Sequence, residues 1–185
     1  QEPMTRMLQG EVGSGKTLVA IATALSVIEK KFRSAIMAPT EILAEQHYIK
    51  TLDLFKNKQQ LSDFHTSISL GNNMGNIVIG LFLGSMPEKD KLIMSKNINN
   101  GEIDLIIGTH TLSQENIKIP KLALNIIDEQ HRFGVLQRSS IKSSDQIYPH
   151  TLTMSATPIP RSLALTVYGD LDLSKLSELP FGERK

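Results

Sequence analysis

Residues 10–17 read GEVGSGKT, a complete G-x-x-x-x-G-K-[ST] run, and nothing else in the chain restricts its fold as strongly. The run follows a short apolar stretch, 6–9 (RMLQ), and opens a helical pattern over 18–28. A strand that turns through glycines into a helix is the setting in which such a run has physical meaning. Glycines allow a turn tight enough for successive backbone N–H groups to face phosphate oxygens. The helix starting near Gly15 adds the positive end of its dipole. Lys16 supplies a mobile charge for β- and γ-phosphates, and the Thr17 hydroxyl supplies a magnesium ligand. Gly10, Gly13, Ser14, Gly15, Lys16 and Thr17 are therefore the candidate phosphate-binding set.

The rest of the chain repeats the alternation of strand and helix. Apolar runs at 35–38 (AIMA), 81–83 (LFL), 104–107 (DLII), 124–127 (LNII) and 151–154 (TLTM) join 6–9 as predicted strands. Runs this short and apolar on both faces are what a parallel sheet covered by helices requires. Helices are predicted near 16–31, 41–56, 87–100 and 160–168. Ser85-Met86-Pro87-Glu88 has capping-box spacing, Gly101 supplies a stop, and Pro158 sits where a first-turn proline is tolerated. The order points to a doubly wound α/β domain with a mostly parallel central sheet and helices on both faces. Residues 57–80 have no clean period and fit a short strand, a short helix or a long surface excursion. Within them GNNMGN, at 71–76, reads as a loop.

A second chemical signal, Asp128-Glu129, directly follows the run at 124–127. An aspartate ending a buried strand is placed to hold magnesium through water, and a glutamate beside it can orient and deprotonate an attacking water. A bare Asp-Glu pair is common on surfaces, and the strand before it and the glycine-rich loop upstream favour the catalytic reading. The predicted strands also end in small or polar clusters: Pro39-Thr40, Gly84-Ser85, Gly108-Thr109-His110 and Ser155-Ala156-Thr157. Ligands of open parallel sheets gather at the carboxyl ends of the strands, so these clusters are expected along one edge, beside the glycine-rich loop and Asp128. Each cluster alone is an ordinary cap or turn. Together they offer N–H groups able to hold a phosphodiester backbone without reading its sequence.

Composition removes several alternatives. Twenty Lys+Arg against nineteen Asp+Glu leave a charge of +1, so nucleic-acid contact would come from placed groups and not from bulk charge. The absence of cysteine excludes a disulfide scaffold, a zinc ribbon and a cysteine nucleophile. His47, His65, His110 and His150 show no metal-ligand spacing. With no tryptophan and 5% aromatics, a base-stacking platform is disfavoured. The apolar stretches 18–28 and 77–83 fall short of the roughly 20 residues of a bilayer span, and no signal peptide opens the chain, so no membrane partner is expected. A guanine-reading N-K-x-D is absent, since Asn57-Lys58 is followed by Gln59-Gln60. A small-molecule kinase would have to find its lid and acceptor pocket in 57–80. The complete set Lys16, Thr17, Asp128 and Glu129 argues against a non-catalytic nucleotide switch.

GEVGSGKT, MAPTEILAEQH (37–47), IIGTHTL (106–112), IIDEQHRFGV (126–135) and MSATPIPRSLALTVYGDLD (154–172) resemble the superfamily-two DNA helicases, and among them the bacterial RecG family of branch-migration helicases. The combination of DEQH, RFGV and TPIPR is shared narrowly with the transcription-repair coupling factors. Those more often carry an acidic residue where Gln130 stands and a bulkier one where Ser14 stands. The resemblance implies a RecA-like P-loop domain over 1–178, the first of two motor domains, with 179–185 starting a linker to the second. It implies ATP and Mg²⁺ as cofactors, phosphates on residues 13–17, Mg²⁺ on Thr17 and, through water, Asp128, and Glu129 activating water. Pro39, Thr40, Gly84, Ser85, Gly108, Thr109 and His110 would contact the DNA backbone. Gln130, His131, Ser155, Ala156 and Thr157 would couple hydrolysis to movement, and Arg161 either joins them or makes a structural ion pair. The implied function is that of a fragment of an ATP-dependent DNA helicase that remodels stalled forks and Holliday junctions in the bacterial cytoplasm, at the nucleoid. Branched DNA, a second motor domain with its arginine finger and a wedge domain are the implied partners. An adenine-contacting stretch is expected upstream of Gln1.

Overall fold

In the computed structural model, which describes residues 3–71, 75–114, 116–129, 148–156 and 172–177, the apolar runs become strands of a single nine-stranded sheet. In chain order the elements are β1 (Thr5–Gly10), α1 (Lys16–Glu29), β2 (Arg33–Met37), α2 (Glu41–Asp53), β3 (Lys58–Ser62), β4 (His65–Ser69), β5 (Asn76–Phe82), α3 (Glu88–Asn99), β6 (Leu105–Gly108), β7 (Leu122–Glu129), β8 (His150–Ser155) and β9 (Asp172–Leu176). A one-turn 3₁₀ helix, His110–Ser113, follows β6. The strand order is β3-β4-β5-β6-β2-β7-β8-β1-β9, parallel from β5 to β9, with β3 and β4 antiparallel to their neighbours.

Burial explains why the central strands have no alternation. All four residues of β6 are buried, and Ile106 and Ile107, neighbours that point to opposite faces, are both fully enclosed. Removing each from water contributes about 1.5–3 kcal/mol. α1 and α2 carry the chain from β1 to β2 and from β2 towards β3, in the same direction across the sheet, whereas α3 returns from β5 to its neighbour β6. Right-handed crossovers then put α1 and α2 on one face and α3 on the other. α1 packs through Ala20, Ile21, Ala24 and Ile28, and its two alanines let the helix lie close to the sheet. On the far face Gly80 admits α3: a Cβ there would stand 2.9 Å from both the Met94 and Ile103 side chains.

One open reading is narrowed and two expectations are corrected. Of the three readings left open for 57–80 the described residues take the strand, three times over: they supply the β3–β4 hairpin and the start of β5, which widen the sheet. Leu81 and Phe82 of the predicted 81–83 run are only the end of β5, Leu83 lies just past it, and Asn76, placed in a loop from sequence, is its first residue. The capping box at Ser85 does not form, because α3 is capped at Pro87 without a side-chain hydrogen bond and Glu88 pairs with Lys91 at 2.8 Å. A box would have required Met86 to be helical, and the residue before a proline is driven out of the helical region. Gly101 does end α3, with φ of 74°, and β9 is a strand that no run announced. The predicted helix 160–168 and Pro158 lie outside the described residues. No helix among the described residues is long and apolar enough to cross a membrane.

Candidate functional site

The parallel register brings the carboxyl ends of β1, β7 and β8 side by side. Asp128 pairs with Met154, Glu129 with Ser155, and Ser155 in turn with Gln9. The loop after β1 therefore faces the end of β7 by construction of the sheet. Gly13 and Gly15 both have φ of 88°, the left-handed region that favours glycine, and the turn is closed by a Ser14 N–H to Glu11 carbonyl bond of 3.1 Å. A Cβ on Gly10 would stand 2.5 Å from Ser14 Oγ and 3.2 Å from the Leu176 carbonyl oxygen, so a larger residue there would displace the loop hydroxyl.

α1 starts at this loop with no side-chain cap and no acidic residue in its first turn, so nothing in its own sequence neutralises its N-terminal N–H groups. Ser14 Oγ is buried without a hydrogen-bond partner among the described residues. Lys16 folds over the loop, donating to the carbonyls of Gly10 at 2.6 Å and Glu11 at 2.7 Å. Burial lowers the Lys16 pKa from its ordinary value, and the Asp128 carboxylate opposes that shift. A donor-rich loop, a helix N-terminus, an orphaned hydroxyl and a lysine fit a polyphosphate, and a carboxylate facing them fits the divalent cation such a ligand carries.

A cleft of about 570 Å³ runs from this loop between α1 and α2, and Lys16, Thr17, His47, Asp128, Met154 and Ala156 all line it. The cleft thus joins the predicted phosphate set to Asp128 and to Ala156. Glu129 closes β7; Gln130, His131, Thr157 and Arg161 lie outside the described residues.

The remaining strand ends divide by exposure. Pro39, Thr40, Gly84, Ser85 and His110 are exposed, whereas Gly108, Thr109 and Ser155 are buried. Thr109 caps the 3₁₀ turn, its hydroxyl accepting from the Thr111 N–H. Thr40 caps α2 by accepting from Leu43 N–H at 3.3 Å. Glu41, one residue on, accepts the Ser85 N–H at 3.0 Å and so ties the β2 end to the β5 end. Hydrogen bonding from Ser85 holds the Glu41 carboxyl below the usual range. Because the ionised form takes the bond, the tether is fully present above the ordinary carboxylate range and is lost as pH falls through the depressed pKa. Glu41→Ala should speed hydrogen exchange of the Ser85 amide by about tenfold, measured by NMR. An unchanged rate would show that the loop does not depend on the tether.

Two residues at the site escaped the sequence reading. Glu41 is one, and His47 is the other: it is buried on α2 and its Nε2 lies 2.6 Å from Asp128 Oδ2. The available signal was the buried stripe Ala44, His47, Tyr48 and Thr51, in which a histidine must find a partner.

Comparison with known proteins agrees with this geometry. The DEAD/DEAH box helicase family model matches residues 3–166. The ATP-dependent DNA helicase RecG of Aquifex aeolicus is 44% identical over 184 residues, which are 99% of this chain and 21% of that protein. RecG of Thermotoga maritima is 44% identical over 185 residues, again 21% of its length. The chain thus spans about one fifth of the length of these curated relatives. A structure of RecG bound to a three-way DNA junction superimposes with a TM-score of 0.75 at 42% identity, covering the whole chain and 22% of that protein. A DEAD box protein from Methanococcus jannaschii, 21% identical with a TM-score of 0.60, shares the fold. The family match over most of the chain, on a RecA-like sheet whose glycine-rich loop faces Asp128, makes this chain a member of the DEAD/DEAH box helicase family.

Proposed function

We propose that this chain is the first, ATP-binding motor domain of a RecG-type DNA translocase that remodels branched DNA, stalled forks and Holliday junctions among it, in the bacterial cytoplasm. Residues 1–178 form the motor domain and 179–185 begin the linker to a second one. The observation that carries this reading is the single cleft lined by Lys16, Thr17 and Asp128 in a chain that resembles RecG from end to end. ATP phosphates would lie on residues 13–17, and Thr17 and, through water, Asp128 would hold Mg²⁺, which would supply charge neutralisation at the reacting phosphate. Lys16 stabilises the phosphate charge and Glu129 takes the proton of the attacking water.

DNA backbone contacts come from the exposed strand ends at Pro39-Thr40, Gly84-Ser85 and His110, with Gly108 and Thr109 beneath them. Gln130, His131, Ser155, Ala156, Thr157 and Arg161 link hydrolysis to movement of a second motor domain. That domain would close on the first and bring an arginine finger, a contribution worth about 10³–10⁵ in rate in related phosphoryl transfers. A first motor domain without that partner would accordingly hydrolyse ATP slowly.

ATPase activity of the full-length protein with forked, single-stranded and duplex DNA side by side tests the reading. Stimulation greatest with forked DNA is expected. Nucleotide hydrolysis indifferent to all three would favour a small-molecule kinase built on the same phosphate loop, and would overturn the proposal.

A further inference from the structure

His47 has a single hydrogen-bond partner for its ring among the described residues, and that partner is the aspartate of the cation site. Nε2 stands 2.6 Å from Asp128 Oδ2, while Nδ1 is buried without a partner. The imidazole is 7% exposed and the carboxylate 19%. A carboxylate only accepts, so Nε2 carries the proton and donates. The neighbours of His47 on the buried stripe of α2 include Ala44, Tyr48 and Thr51, and an apolar residue would pack there without the cost of desolvating an imidazole.

We infer that His47 is a positioning residue for Asp128: its Nε2–H fixes Oδ2 and leaves Oδ1 to the hydrated cation that accompanies the nucleotide. The inference rests on the nucleotide reading above and deepens it. An unheld carboxylate at a strand end rotates and presents either oxygen, and ordering it on cation binding costs affinity. A hydrogen bond from a ring anchored on a helix removes that freedom beforehand. Partners of metal-holding carboxylates are typically worth 10–100-fold in metal affinity. α2 suits the task, being capped by Thr40 at its start and buried along His47, Tyr48 and Thr51.

The test is equilibrium binding of a fluorescent ATP analogue to the chain, followed by anisotropy while Mg²⁺ is varied, with a parallel series in EDTA. His47→Leu and His47→Asn should each raise the half-saturating Mg²⁺ concentration by about tenfold or more, since the asparagine amide is too short to take the place of Nε2. His47→Gln, whose terminal nitrogen reaches that place, should restore a Mg²⁺ requirement close to that of the unsubstituted chain. Binding in EDTA should be the same for all four proteins. Should His47→Leu fail to fold, the contrast between the asparagine and glutamine variants carries the test.

An unchanged Mg²⁺ requirement in the leucine and asparagine variants overturns the inference. So does weakening that is equal with and without Mg²⁺, which marks a purely structural role, and so does a glutamine variant that behaves like asparagine. If the unsubstituted chain itself shows no Mg²⁺-dependent binding, the nucleotide reading falls, and the inference with it.

Discussion

Glu129→Gln is expected to lower DNA-stimulated ATP turnover of the full-length protein by about 10²–10⁴-fold while ATP continues to bind. The substitution keeps the size of the side chain and removes only its capacity to take a proton. Glu129 ends β7 in register with Ser155 of β8, and the preceding residues of β7 pair with both β2 and β8, so a neutral isostere leaves the sheet undisturbed. Lys16, Thr17 and the loop glycines, which are proposed to hold the phosphates, belong to the loop after β1 and the start of α1 and are not altered. The split is therefore diagnostic: phosphate release collapses while the binding isotherm of an ATP analogue keeps its midpoint. Turnover that survives the change would show that another group serves as the base. Loss of binding in parallel would assign Glu129 to the ligand cradle.

Gly108→Ala should cost about 3 kcal/mol of stability. Gly108 ends β6 between β5 and β2, and a Cβ built on it stands 2.5 Å from the Phe82 carbonyl oxygen and 3.0 Å from Leu112 Cγ. The first of these neighbours is backbone, so relief requires β5 and β6 to separate. Movement towards β2 is opposed by the 2.8 Å bond from Ala38 N–H to the Gly108 carbonyl. Urea unfolding should show a midpoint lowered by more than about 1 M. Gly84→Ala is the natural comparison, because the added carbon meets the tip of the Glu41 carboxylate at 3.1 Å, which can swing aside. A Gly108→Ala protein as stable as the parent would mean that the strand end yields more easily than its packing shows.

The parts of this fold that were legible in the sequence are those whose physics is local or doubled. β6 and β7 read as strands because burial on both faces leaves LIIG no polar side chain and LNII only one, the buried Asn125. The phosphate loop read clearly because glycine conformation, a lysine and a hydroxyl are all fixed within eight consecutive residues. β3 stayed hidden for the opposite reason: four of the five residues in KQQLS are exposed, so no periodicity is imposed on them. β4 does alternate, with Thr66 and Ile68 inward, but a buried threonine in HTSIS masks the pattern. β9 is held partly through charge, Arg6 donating to Asp172 and Ser174 at 2.8 and 2.9 Å, and a pairing 166 residues apart leaves no trace in local composition. His47 belongs to the same class, because its partner lies 81 residues away and only the fold brings them together.

At the outer border of the sheet, β3 has a strand partner on one side only among the described residues. That border is five residues long, begins with Lys58, continues with two glutamines, and loses register with β4 between Gln60 and Ser62. A second molecule arriving there would have to strip water from a lysine and two amides to gain a few backbone hydrogen bonds along an interrupted ladder. The hairpin that widened the sheet thus also seals it, shielding the apolar β5 from strand-on-strand growth in a crowded solution.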